Sequence, residues 1–209
     1  LANSIAGRAV GGPAKVSVLS SALTGTISGS SVANTVGTGS FTIPLMKSLG
    51  YKPEFAGAVE AAASTGGQIM PPIMGAAAFL MVEFIGVPYI TIAKAAVIPA
   101  ILYFTGIWIT VDLEARKTGL RGLKAEQLPK FRKVMLQRGY LLLPIVAIVY
   151  FLMKGATPIK AALYGIIISV VAGAVRKETR LNFKMLLEAL EAGAKSALGV
   201  AIACASAGI

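Results

Sequence analysis

Two short stretches of this 209-residue chain concentrate residues able to do chemistry: SGSSVANT, Ser28 to Thr35, and STGGQIMPP, Ser64 to Pro72. Their hydroxyl and amide oxygens, together with carbonyls of any unwound backbone, are hard ligands that suit a hard cation. Amide donors left open at a helix start suit an anionic group instead. With no histidine and one cysteine, Cys204, the chain excludes histidine bases, histidine or cysteine zinc sites and an internal disulfide framework. Glu60 lies one helical turn before the second stretch. It reads either as a group that tunes a cation site or as an acid that faces a watery crevice or pairs with a lysine. Lys15, Ser20 and Ser21 lie close enough in sequence for a Ser/Lys arrangement, and neither a His/Cys dyad nor a recognisable acidic pair is present. The chain reads as a non-enzyme, with no catalytic residue and no cofactor.

Composition says where these residues must work. At 56% hydrophobic residues and a mean hydropathy of +0.75, the sequence is that of an all-α integral membrane protein. The net charge of +11 sits in loops between apolar spans, which reports membrane topology rather than nucleic-acid binding. In hydrocarbon every backbone group must be satisfied internally, so irregular backbone survives only where protein or a watery cavity receives it. Two polar, Gly- and Pro-rich interruptions in one apolar run therefore mark a binding site. Transporter folds build such sites from half-helices and unwound segments at the midplane.

In chain order, residues 1–50 form a hairpin region that opens from the cytoplasmic side. One arm runs from Pro13 to about Thr26 and a second from about Thr35 to Leu49. Each is too short to cross, so a re-entrant hairpin is expected; a pair of buried helices with a Gly/Ser packing face is the alternative. Residues 51–86 read as a discontinuous transmembrane helix, or one kinked at Pro72, that breaks after Ala63 and resumes beyond Pro71-Pro72. Residues 87–113 read as a full span. Residues 114–138, with eight basic and two acidic side chains, form a cytoplasmic loop; a surface helix from Glu126 to Arg138 could turn Leu128, Phe131 and Met135 to lipid. Residues 139–175 hold two further spans. Residues 176–209 make a cytoplasmic connection and then start a second, inverted repeat. Leu1 and the closing CASAGI read as ends cut from a longer polypeptide.

The run from GSSVANTVGTGSFTIPLMKSLGYKPEFAGAVEAAASTGGQIMPPIMGAAAFLM resembles the large membrane subunit of tripartite ATP-independent periplasmic (TRAP) transporters. VDLEARKTGLRGL, RKETRL and EALEAGAKSALGVAIACASAGI are similar to the form with fused large and small membrane subunits, of the type paired with TAXI binding proteins. The resemblance implies an elevator-type secondary transporter in the inner membrane, built from inverted repeats. It also implies a periplasmic solute-binding protein that delivers an organic acid, and a sodium gradient that drives uptake.

On that reading Ser30, Ser31, Asn34 and Thr35, with Ser64, Thr65 and Gly67, supply an oxygen cage for sodium. The helix start at Asn34, Thr35 and Val36 offers amide donors to a substrate carboxylate. The rival reading is a passive channel, since re-entrant loops also build filters; no repeated carbonyl-filter motif supports it.

Overall fold

The computed structural model describes residues 2–120, 122, 131–174 and 182–207. All regular structure among them is helical. The chain divides into two compact units, Leu1–Gly75 with Thr91–Gln137, and Ala76–Ile90 with Arg138–Ile209.

The first unit is organised on a helical hairpin. After the short helix α1 (Ala2–Ala6), α2 (Gly12–Ser28) carries Pro13 in its first turn, where the missing amide proton breaks no hydrogen bond. It ends on Gly29, whose φ of 61° is a left-handed cap that glycine adopts freely. Ser30 then caps α3 (Ser31–Ser48), its Oγ accepting from the Ala33 amide at 3.3 Å. The interruption is therefore Gly29 and Ser30 alone. Helix α2 runs beyond Thr26, and α3 begins before Thr35, because a capping serine directly after a left-handed glycine turns the chain at once.

Helix α4 (Pro53–Gly66) also opens on a proline, with Glu54 in its first turn. It continues past Ala63 through Ser64 and Thr65, then tightens into a 3-10 turn over Gly67–Ile69. Met70 is extended, and the chain stays non-helical to Gly75, whose amide closes the loop on the Gln68 carbonyl at 2.7 Å.

The two interruptions meet. A Cβ added at Gly25 would lie 2.4 Å from the Gly67 Cα, so α2 touches the second break backbone to backbone. Thr26 Oγ1 donates to the Pro71 carbonyl at 2.6 Å, and Gln68 Nε2 donates to Ser31 Oγ at 3.1 Å. Gly29 has the Met74 carbonyl against it, where a Cβ would come to 2.3 Å. The contact depends on small residues, which let membrane helices approach closely.

Beneath it, Ala14, Val18, Met46, Ala56, Val59, Ala63, Val111 and Ala115 form the unit's buried apolar core. Lys15 is also buried there; its Nζ pairs with Asp112 and lies 5.2 Å from the Trp108 ring. Arg116 Nε reaches the other oxygen of Asp112 at 2.6 Å.

Helix α6 (Tyr89–Lys117), longer than the expected span 87–113, is the one described helix both long and apolar enough to cross a membrane. Ile98, Leu102, Ile109 and Leu113 stand exposed along it, as side chains that meet lipid would. Of the basic segment, α7 (Phe131–Arg138) is described; Glu126 and Leu128 lie outside the described residues.

In the second unit, α5 (Ala76–Ile85) sets Phe79 against Tyr89, ring centroids 5.1 Å apart. Helix α8 (Leu143–Met153), entered through a 3-10 turn at Gly139–Leu142, packs on α9 (Pro158–Ala174) through Phe151 and Tyr164, centroids 4.4 Å apart. These two apolar helices, of 11 and 17 residues, fall where two spans were expected over 139–175. Helix α10 (Phe183–Ala207) follows, and residues 175–181 before it lie outside the described residues.

The backbone contact yields a paired test. Gly25→Ala should lower the thermal unfolding temperature of the full-length protein in detergent, because the added methyl overlaps Gly67. Gly37→Ala, where nothing lies within 4 Å, should leave it unchanged or raise it through better helix propensity. Equal effects of the two substitutions would contradict the close approach.

Candidate functional site

Beside the meeting point of the breaks lies a fully buried acid, Glu60 on α4. A carboxylate removed from water needs hydrogen-bond donors. Here five hydroxyls supply them, two pairs one helical turn apart and a single serine. From α2, Ser17 Oγ donates to Oε2 at 2.5 Å and Ser21 Oγ to Oε1 at 2.6 Å. From α3, Thr38 reaches Oε1 and Thr42 reaches Oε2. From α4 itself, Ser64 Oγ donates to Oε1 at 3.1 Å. Both threonine hydroxyls also lie within reach of the carbonyl four residues earlier, so each shares its one proton between two acceptors.

Of the sequence readings of Glu60, the watery crevice and the lysine pair are corrected: the acid is fully buried and its partners are hydroxyls, which leaves the reading as a group that tunes a cation site. The nearby lysine, Lys15, is taken by Asp112. That pairing, with Ser21 held by Glu60, engages two of the three residues of the Lys15, Ser20 and Ser21 arrangement.

Asn34 connects this cage to the breaks. Its Nδ2 donates to the Ser21 carbonyl at 2.8 Å and lies 3.1 Å from where a Cβ on Gly25 would stand, and 3.4 Å from one on Gly67. Its Oδ1 is buried and has no hydrogen-bond partner among the described residues. A buried amide oxygen without a donor is expensive unless something outside the chain meets it.

The other residues singled out from sequence fall into two groups. Ser31 and Gly67 lie at the junction, Ser31 through Gln68 and Gly67 through Gly25. Ser64 is buried and points to Glu60. Ser30 serves as the α3 cap, while Thr35 is half-buried on the first turn of the same helix.

Thr65 and Val36 are exposed; Thr65 Oγ1 bonds back to the Ala61 carbonyl at 2.8 Å. Because α3 starts at Ser31, the Asn34 amide is already committed to the Ser30 carbonyl at 3.0 Å. The open donors of that helix start therefore lie earlier, at Ser31 and Val32, than at Asn34, Thr35 and Val36.

Ser17, Thr38 and Thr42 were not found from sequence. Their signal is a pair of hydroxyl residues spaced by four on an apolar helix, twice over, opposite a lone acid with a serine four residues on.

The protein YgiK of Salmonella typhimurium is 27% identical over 183 residues, covering 87% of this chain and 42% of that protein. The protein y4mL of Sinorhizobium fredii is 28% identical over 168 residues, covering 76% of this chain and 38% of that protein. The chain thus spans about two fifths of the length of these curated relatives. Among known families, residues 1–209 match the one described as tripartite ATP-independent periplasmic transporter, DctM component. The chain belongs to that family, whose members are the membrane permease components of TRAP transporters.

Proposed function

We propose that this chain forms the coupling-ion half of a sodium-driven secondary permease that imports organic acids delivered by a periplasmic solute-binding protein. Family membership supports the transporter class. Sodium rests on one observation: Asn34, whose Nδ2 lies beside the contact of α2 with the second interruption, carries a buried oxygen that no donor meets among the described residues. The neighbouring groups fit the same ligand. Asn34 Oδ1 is an amide oxygen, which carries no proton, and Ser64 has given its hydroxyl proton to Glu60, so both oxygens offer only lone pairs to a third party. Lone pairs without protons bind a cation and repel an anion. Ser31 Oγ, which accepts from Gln68 at the same junction, adds a third oxygen to this set. The exposed side chains of Thr65 and Val36 drop out of it.

The substrate carboxylate belongs at the start of α3, where the first-turn amides and the positive end of the helix dipole favour negative charge. The hairpin of α2 and α3 would enter the bilayer from the cytoplasmic side without crossing it. An inverted second repeat would supply the opposing hairpin of an elevator-type carrier. The basic loop 114–138 would lie in the cytoplasm, as its charge requires. A binding protein of the TAXI type is the partner that the fused-subunit resemblance favours.

Full-length protein reconstituted with its binding protein should accumulate substrate when an inward sodium gradient is imposed, and fall to background when potassium replaces sodium. Asn34→Ala should raise the sodium concentration for half-maximal uptake by about tenfold, equivalent to ~1.4 kcal/mol. Thr65→Ala should leave it within about twofold. Identical sodium activation of Asn34→Ala and the unsubstituted protein would remove Asn34 as a ligand, and uptake indifferent to sodium would end the coupling claim. Current through the membrane without the binding protein would favour a channel.

A further inference from the structure

The cage around Glu60 does more than shelter an acid. Each hydroxyl carries one proton and two lone pairs. Where the proton goes to a carboxylate, the lone pairs are all the oxygen has left. Glu60 Oε1 takes protons from Ser64 and Ser21, and Thr38 reaches it as well; Oε2 takes the Ser17 proton and is reached by Thr42.

Two of these contacts lead to the junction of the breaks. Ser64 sits on the last turn of α4, three residues before Gly67, with its hydroxyl fixed by Glu60 as an acceptor toward anything else. Ser21 is bonded to Glu60 by its hydroxyl and to Asn34 Nδ2 by its carbonyl, which fixes the amide that carries the unpartnered Oδ1. A formal negative charge thus stands one hydrogen bond from the Ser64 hydroxyl and, through Ser21, two from the Asn34 amide. No lysine or arginine pairs with it among the described contacts.

We propose that Glu60 is a positioning residue for the cation site: through Ser64 it holds a hydroxyl oxygen in an acceptor-only state, through Ser21 it holds the Asn34 amide in place, and its buried charge draws a monovalent cation to both oxygens. The inference rests on the sodium reading given above. It also explains why the charge is left without a counter-cation: the ion that completes it arrives with each transport cycle. A solely structural Glu60 would need its hydroxyls but not its charge.

Glu60→Gln separates the two, since it keeps the shape and removes the charge. In full-length protein reconstituted with its binding protein, this substitution should raise the half-saturating sodium concentration about tenfold or more. Maximal uptake at saturating sodium should stay within about twofold of the parent. Ser17→Ala, on the oxygen that Ser64 does not share, should lower the unfolding temperature while leaving half-saturation within about twofold.

Glu60→Asp retains charge but retreats by one methylene, and should fall between Gln and the parent; it decides the matter if the Gln variant does not accumulate. Sodium-driven uptake with the same half-saturation in the parent and in either Glu60 variant overturns the inference while the coupling reading stands. A parent protein that takes up substrate equally in sodium and potassium removes that reading, and the inference with it.

Discussion

A carboxylate buried in a membrane protein must find its donors among side chains, and three helices of this chain are arranged to provide them. Ser17 and Ser21 on α2, Thr38 and Thr42 on α3, and Ser64 on α4 each project toward Glu60 because residues four apart share a helix face. The bonds fix the rotation of all three helices about their axes. A helix turned by one residue would bring apolar side chains to Glu60 and leave the charge without donors, a loss far larger than a single neutral hydrogen bond. The acid therefore acts as a register pin for the hairpin and the broken helix together, in addition to any role toward an ion.

That pin makes the close approach of the breaks possible. Gly25 and Gly67 touch through backbone, and neither position tolerates a side chain. With Thr26 on the Pro71 carbonyl and Gln68 on Ser31, the polar backbone of both interruptions is closed against protein rather than left to lipid. One buried oxygen of this region meets no donor among the described residues, Asn34 Oδ1, on the side chain whose Nδ2 lies beside the Gly25–Gly67 contact. Lys15 and Asp112, by contrast, join α2 to α6 and answer each other's charge, which keeps the one buried lysine of the hairpin away from Glu60.

The positions of the two interruptions were legible because glycine, proline and clustered hydroxyls are rare in apolar helices, and because Gly29 and Gly67 each stand at a turning point. Their extents were not. Ser30 caps a helix that runs straight through Val32 to Thr35, and Ser64 and Thr65 remain helical, since serine, threonine and asparagine side chains serve a helix start or interior as readily as a loop.

This displacement is what placed Thr65 and Val36 in the site. On a helix, neighbours point about 100° apart, so Ser64 can face inward only if Thr65 does not. The cage was hidden for a different reason: Ser17 meets Glu60 across 43 residues, and its spacing of four from Ser21 is equally the mark of hydroxyls that bond their own backbone. What sequence alone could not supply was which hydroxyl pairs would face one another.

The most direct measurement is an experimental density map of the full-length protein prepared in sodium and again in choline. The account requires, in sodium, a feature at coordination distance from Asn34 Oδ1 and Ser64 Oγ, with Glu60 still enclosed by its hydroxyls, and loss of that feature in choline. An Asn34 amide oxygen bonded to a protein donor in both maps, with no ion beside it, would contradict the account.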